Sequence, residues 1–130
     1  MDLKNIIKNA VLKSSKNKKF KICDLKIDDK NFGNVFLLLE LNEKIQIKFV
    51  KDRGDQWCEL GDFHEWFPIE NVFEKIKIDE EIKTTDFIFL IMGTLDLVDK
   101  NFEKILLEIK EFTFEKEGDL WKAVQKDQKW

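Results

Sequence analysis

Three closely spaced apolar runs constrain this chain more than any other feature. Asn34–Leu41 is almost continuously apolar, with Val35, Phe36, Leu37, Leu38, Leu39 and Leu41. Lys44–Lys51 alternates cleanly, with Ile45, Ile47 and Phe49 set against Lys44, Gln46 and Lys48. Gln56–Leu60 follows after one more short break. Period-2 patterning of this kind reads as β-strand. The breaks, Asn42-Glu43 and Asp52-Arg53-Gly54-Asp55, are far too short for a parallel crossover, so neighbouring strands must run antiparallel. Gly54 supplies a residue that accepts positive φ. An earlier run, Phe20–Ile27, sets Cys23, Leu25 and Ile27 against Asp24 and Lys26 and adds a strand in front. A four-stranded antiparallel meander is the expected sheet. The unbroken character of Asn34–Leu41 predicts a central strand covered on both faces.

Helical spacing brackets the sheet. Leu3, Ile6, Ile7, Ala10 and Val11 form one apolar stripe over 2–13, with Asp2 suited to the N-terminus. Pro68 opens a short helix with the stripe Ile69, Val72, Phe73 and Ile76, since a missing N–H costs nothing in a first turn. Thr84, Thr85 and Asp86 are candidate caps for a helix running to about Val98. Phe87–Met92 alone fits a buried strand equally well, but Leu90, Ile91, Leu95 and Val98 continue the helical spacing. Residues 101–112 and a last segment from Asp119, burying Leu120, Trp121 and Val124, complete the pattern. The expected fold is α+β, a single domain over 1–130, with one N-terminal helix and three to four C-terminal helices.

At 130 residues a chain buries roughly two-thirds of its unfolded surface. Twelve Phe and four Trp exclude a disordered chain, while 38% charged residues demand a heavily solvated surface. The net charge of −3 hides two poles. Residues 1–21 carry seven Lys against one acid, and residues 52–82 carry ten acids against Arg53, Lys75 and Lys77. A field of one sign steers partners of the other and repels nucleic acid. Cys23 and Cys58 have no metal-ligand spacing and fall inside strand patterns, so both read as reduced core residues. No signal segment is recognisable, and the longest apolar run is far short of a membrane span, which makes the cytoplasm the expected compartment. The chain has 22 Lys, one Arg and no Tyr, a bias in keeping with an AT-rich genome. Against it, Arg53 stands out.

No catalytic constellation emerges. His64 sits in Gly-Asp-Phe-His-Glu-Trp-Phe, but no second His or correctly spaced Cys completes a metal set, and no nucleophile stands nearby. Paired carboxylates for hydrolysis would need one acid in an apolar pocket, which nothing in the sequence indicates. The five glycines are scattered, with no phosphate-cradling loop. No cofactor is expected. The stretch 52–67 is different, because acids alternate there with Trp57, Phe63, Trp66 and Phe67. Acids around large aromatics suit a face that docks on a basic protein, the charges speeding encounter and the tryptophans anchoring. The same residues also suit a loop packed on the core with its acids solvated. Arg53 offers a planar five-donor fork, either to a partner or to Asp52 or Glu59 within the chain.

Asn31-Phe32-Gly33-Asn34 ahead of an apolar strand, followed by Phe49-Val50-Lys51-Asp52-Arg53-Gly54, resembles a group of small bacterial immunity proteins. These are encoded beside polymorphic or contact-dependent growth inhibition toxins. Leu95 and Val98 before Asn101-Phe102-Glu103-Lys104-Ile105 are similar to the same group, although Asp55 stands where the group's pattern has Gln. The resemblance implies a non-catalytic protein that binds a cognate toxin domain and neutralises it. Many such toxins are nucleases with basic active sites, so an acidic inhibitor fits. The expected partner is therefore a basic toxin domain bound one-to-one by a monomer, without nucleic acid or membrane. The candidate contact residues are Asp52, Arg53, Asp55, Trp57, Glu59, Asp62, His64, Glu65 and Trp66. An adaptor using the same surface, and a hydrolase built on carboxylates near His64, are the alternatives.

Overall fold

The computed structural model describes residues 2–15, 19–28, 33–78, 84 and 86–109. The chain is α+β. Helix α1 (Leu3–Ser14) leads into strands β1 (Phe20–Asp28), β2 (Asn34–Leu41), β3 (Ile45–Asp52), β4 (Asp55–Gly61) and β5 (Trp66–Pro68). Helices α2 (Ile69–Lys75) and α3 (Phe87–Lys100) follow, and a further helix, α4, occupies 102–109. The sheet is a continuous antiparallel meander in the order β1-β2-β3-β4-β5. It therefore has five strands where four were expected. Trp66-Phe67-Pro68 is too short to show a period, and its proline is tolerated because it ends an edge strand.

Both central hairpins turn on left-handed residues. Asn42 and Glu43 have φ of 54° and 57°, and the Lys44 N–H donates to the Leu41 carbonyl at 3.2 Å. Arg53 and Gly54, at 51° and 89°, make a two-residue turn of the mirror-image type that matches strand twist. These turns fix the register and with it the faces. Val35, Leu37, Leu39, Leu41, Ile45, Ile47, Phe49, Cys58 and Leu60 point one way and are buried. The helices supply the rest of that core through Ile7, Val11, Val72, Ile91, Leu95, Val98, Phe102 and Ile105. Phe87 meets Phe49 edge-on at 6.5 Å between ring centroids. A Leu→Ala change at a site such as Leu39 costs about 2–5 kcal/mol in a core of this kind.

The capping expectations hold. Asp2 accepts from the Asn5 N–H at 2.8 Å, and Asp86 accepts from Ile88 and Phe89 at the start of α3. Phe87–Met92 is helical, and the helix runs through Gly93. The last expected helix, from Asp119, lies outside the described residues.

Two expectations are corrected. β2 is not covered on both faces: its burial alternates strictly, and Phe36 and Leu38 are half-buried outside the core cluster. Cys23 is exposed, not core. A bulge between Ile22 and Asp24 reverses the alternation of β1, so Phe20 and Ile22 before it and Leu25 and Ile27 after it share the inner face. Cys23, the extra residue, turns outward and its thiol reaches the Glu40 Oε2 at 3.6 Å.

Neither thiol is activated. Burial pushes Cys58 well above the ordinary 9.0, and Glu70 and Glu59 add to the shift. Cys23 is also raised, by partial desolvation first and then by its hydrogen bond and charge repulsion with Glu40. A thiol reagent should label one cysteine per native chain, with the second reacting only on unfolding. Glu40→Gln should lower the Cys23 pKa and speed its labelling below pH 9.0. Equal labelling of both thiols in the native chain, read by mass spectrometry of peptides, would contradict the bulge.

Candidate functional site

The register sends a second set of side chains to the face opposite the core. Phe36 and Leu38 come from β2, Lys48 and Val50 from β3, Trp57 and Glu59 from β4 and Trp66 from β5. Val50 pairs with Trp57, Lys48 with Glu59 and Gly61 with Trp66. None of the apolar residues in this set belongs to the core cluster. An apolar, aromatic sheet face outside the core is the most distinctive surface among the described residues.

Its centre is a string of polar and aromatic contacts. The Trp57 indole N–H donates to Glu59 Oε1 at 3.1 Å. Glu59 pairs with Lys48 Nζ at 3.7 Å, and that ammonium lies 4.3 Å from the Trp66 ring centroid. The Lys48 and Glu59 side chains are only 19% and 24% exposed, so their attraction is weakly screened. Removing one partner would strand a half-dehydrated charge. The pair fixes two tryptophans in place, and a cation over an indole adds about 0.5–2 kcal/mol. Gly61 makes room for this packing: a Cβ there would lie 2.9 Å from Trp66 Cε3.

At one end of β4 stands the β3–β4 tip. Asp52 and Asp55 face each other across the turn, a like-charge pairing that costs stability. Arg53 holds a positive φ that Asn or Gly would adopt more easily, and its N–H donates to Asn34 Oδ1 at 3.0 Å. That bond joins the Gly33-Asn34 and Asp52-Arg53-Gly54 motifs into one structural unit. The Arg53 guanidinium makes no ion pair with Asp52, Glu59 or any other described residue.

Asp62, His64 and Glu65 sit at the far end, about 20 Å away along the strand. Asp62 Oδ1 accepts from the N–H groups of His64 and Glu65 at 2.9 and 2.8 Å, which makes it the brace of the β4–β5 turn. His64 is exposed. Among the described residues no group of three or more His, Cys, Asp or Glu is placed to hold a metal ion, and no helix is long and apolar enough to cross a membrane.

The nine expected contact residues thus fall in three places. Trp57, Glu59 and Trp66 meet on the open face, Asp52, Arg53 and Asp55 form its acidic tip, and Asp62, His64 and Glu65 make the β4–β5 turn beside Trp66. Lys48, Val50 and Phe36 join the face without having been expected there, although counting outward from a two-residue turn at Arg53-Gly54 sets Lys48 opposite Glu59 and Val50 opposite Trp57. By the same register the whole face carries Asp24, Asp28, Glu40, Asp52, Asp55 and Glu59 against Lys21, Lys26 and Lys48. Comparison of the chain with protein-family models, curated proteins and solved structures gave no match.

Gly61→Ala should destabilise the protein by about 1–3 kcal/mol through overpacking against Trp66. Part of that penalty should vanish in a Trp66→Ala background, the contact of 3.1 Å with the Glu65 carbonyl remaining, a coupling that denaturant titration of the four proteins would measure.

Proposed function

We propose that this chain is an immunity protein that binds a cognate bacterial toxin domain of basic surface and neutralises it in a one-to-one complex. The observation that carries this reading is the open sheet face, where Trp57 and Trp66 are held by Glu59 and Lys48 beside an acidic hairpin tip. Aromatic anchors fixed before encounter lose little freedom on binding, and such anchors dominate interface energetics. The surplus of acids on that face selects a positively charged partner and repels nucleic acid.

A nuclease domain fits those terms, because a site that grips phosphate is itself basic. An acidic aromatic face laid over such a site would exclude the substrate without any chemistry of its own. Asp62 is occupied in bracing its turn, so Asp52 and Asp55 are the stronger contact candidates. The two motifs that carry the resemblance to immunity proteins meet at the Asn34–Arg53 bond, which gives them a shared role in presenting this tip.

The test is protection. Cells expressing the toxin domain encoded beside this chain's gene should survive when the chain is co-expressed, and the purified pair should bind more weakly as salt rises. Trp57→Ala should weaken binding by roughly thirtyfold, or about 2 kcal/mol. Charge reversal at Asp52 and Asp55 should act mainly by slowing association. Survival unchanged by co-expression, with no binding at low salt, would overturn the proposal; capture of a housekeeping protein instead would point to an adaptor.

Arg53→Asn provides a second check on the tip. Asparagine tolerates the left-handed backbone better, so the variant should melt slightly higher than the parent while binding the toxin domain less tightly. Calorimetry and binding measured on the same preparation separate the two effects.

A further inference from the structure

The open face repeats one arrangement. Lys26 Nζ lies 5.8 Å from the Phe36 ring centroid and is held by Asp24 at 3.4 Å. Lys48 Nζ lies 4.3 Å from the Trp66 ring and is held by Glu59 at 3.7 Å. Each ring therefore carries a cation tethered by a carboxylate. Trp57 is the third aromatic side chain of this face and, at 38%, the most open of the three to solvent. Its carboxylates are in place: Asp55 precedes it by two positions on the same face of β4, and Asp52 is opposite Asp55. Among the described residues, no cation lies over its ring.

Trp57, Phe36 and Val50 also wall an open depression of about 330 Å³, into which Asp52 and Asp28 contribute. That volume is at the small end of the ~300–1,000 Å³ typical of ligand clefts, which suits one long side chain better than a cofactor. Ile27, Asn34, Val35 and two lysines also line it; Lys26 is already engaged by Asp24 and Phe36, and Lys51 stands on the side away from Trp57's face by the register of β3.

We infer that this depression is the socket for a lysine or arginine side chain of the partner protein, its stem on Trp57 and Val50 and its charge beside Asp52 and Asp55. The inference rests on the reading of the partner as a basic protein and names the group it inserts. A long cationic side chain buries its methylenes on apolar surface while its head stays with carboxylates. Arginine also stacks flat on an indole. The partner would complete on Trp57 the pattern that the chain's own lysines complete on Phe36 and Trp66.

Nuclear magnetic resonance of the full chain, titrated with N-acetyl-arginine amide, tests the socket without any toxin. Saturable shifts are expected at the Trp57 indole N–H and the Val50 methyls, with little response to N-acetyl-glutamine amide. Asp52→Asn with Asp55→Asn should weaken the arginine probe by about tenfold. That double variant removes a like-charge pair, so its fold is not at risk. Unmoved Trp57 and Val50 signals, equal shifts with the neutral probe, or unchanged affinity in the double variant would each overturn the inference. A toxin domain that is neutralised by the parent chain and bound equally by the double variant would overturn it while leaving the immunity reading intact.

Discussion

Everything on the outer face depends on the register set by two tight turns. A sheet's side chains alternate with period two, so a slip of one residue would exchange core and surface along a whole strand. At Arg53-Gly54 the register is held by a backbone shape that Gly54 adopts freely and Arg53 does not. The hydrogen bond from the Arg53 N–H to Asn34, nineteen residues earlier, ties that turn to the start of β2. The turn itself sets the β3–β4 register, which brings Val50 to Trp57 and Lys48 to Glu59, and the bond to Asn34 anchors it against β2.

The Lys48–Glu59 pair shows what the alignment accomplishes. A half-dehydrated ion pair is a weak source of stability, since desolvation offsets much of the attraction. Here both charges also serve the aromatics, with Glu59 accepting from the Trp57 indole and Lys48 capping the Trp66 ring. The pair is better understood as a positioning device. It links two large aromatic side chains of the outer face through one carboxylate and one ammonium.

Much of this is legible in the amino-acid order. Period-2 runs and short turns specify the antiparallel meander, Asp2 and Asp86 mark two helix starts, and the acidic aromatic stretch 52–67 contains the tryptophans of the open face. The departures have particular causes. Trp66-Phe67-Pro68 is too brief to display a period. The Leu-rich run of β2 suggests double cover only while its apolar content is read without asking what would lie on the second face. Nor does the order alone show that the acids of 52–67, Glu59 aside, divide between two turns about 20 Å apart along one strand. Cys23 reads as core because it keeps period with Leu25 and Ile27, and the bulge that turns it outward leaves no mark in that spacing.

That bulge has a consequence for how the molecule behaves among its own copies. β1 is an outer strand of the sheet, and a long regular outer strand offers a template on which a neighbouring chain can add its own. The extra residue at Cys23 breaks the ladder near the middle of β1 and increases its local twist, and Lys21, Asp24 and Lys26 place charge on either side. A chain whose outer sheet face carries partly exposed aromatics would polymerise more readily if its edge also offered a regular strand. By spoiling the strand that would start such a stack, the bulge makes the edge of β1 a poor template for a second copy of the chain.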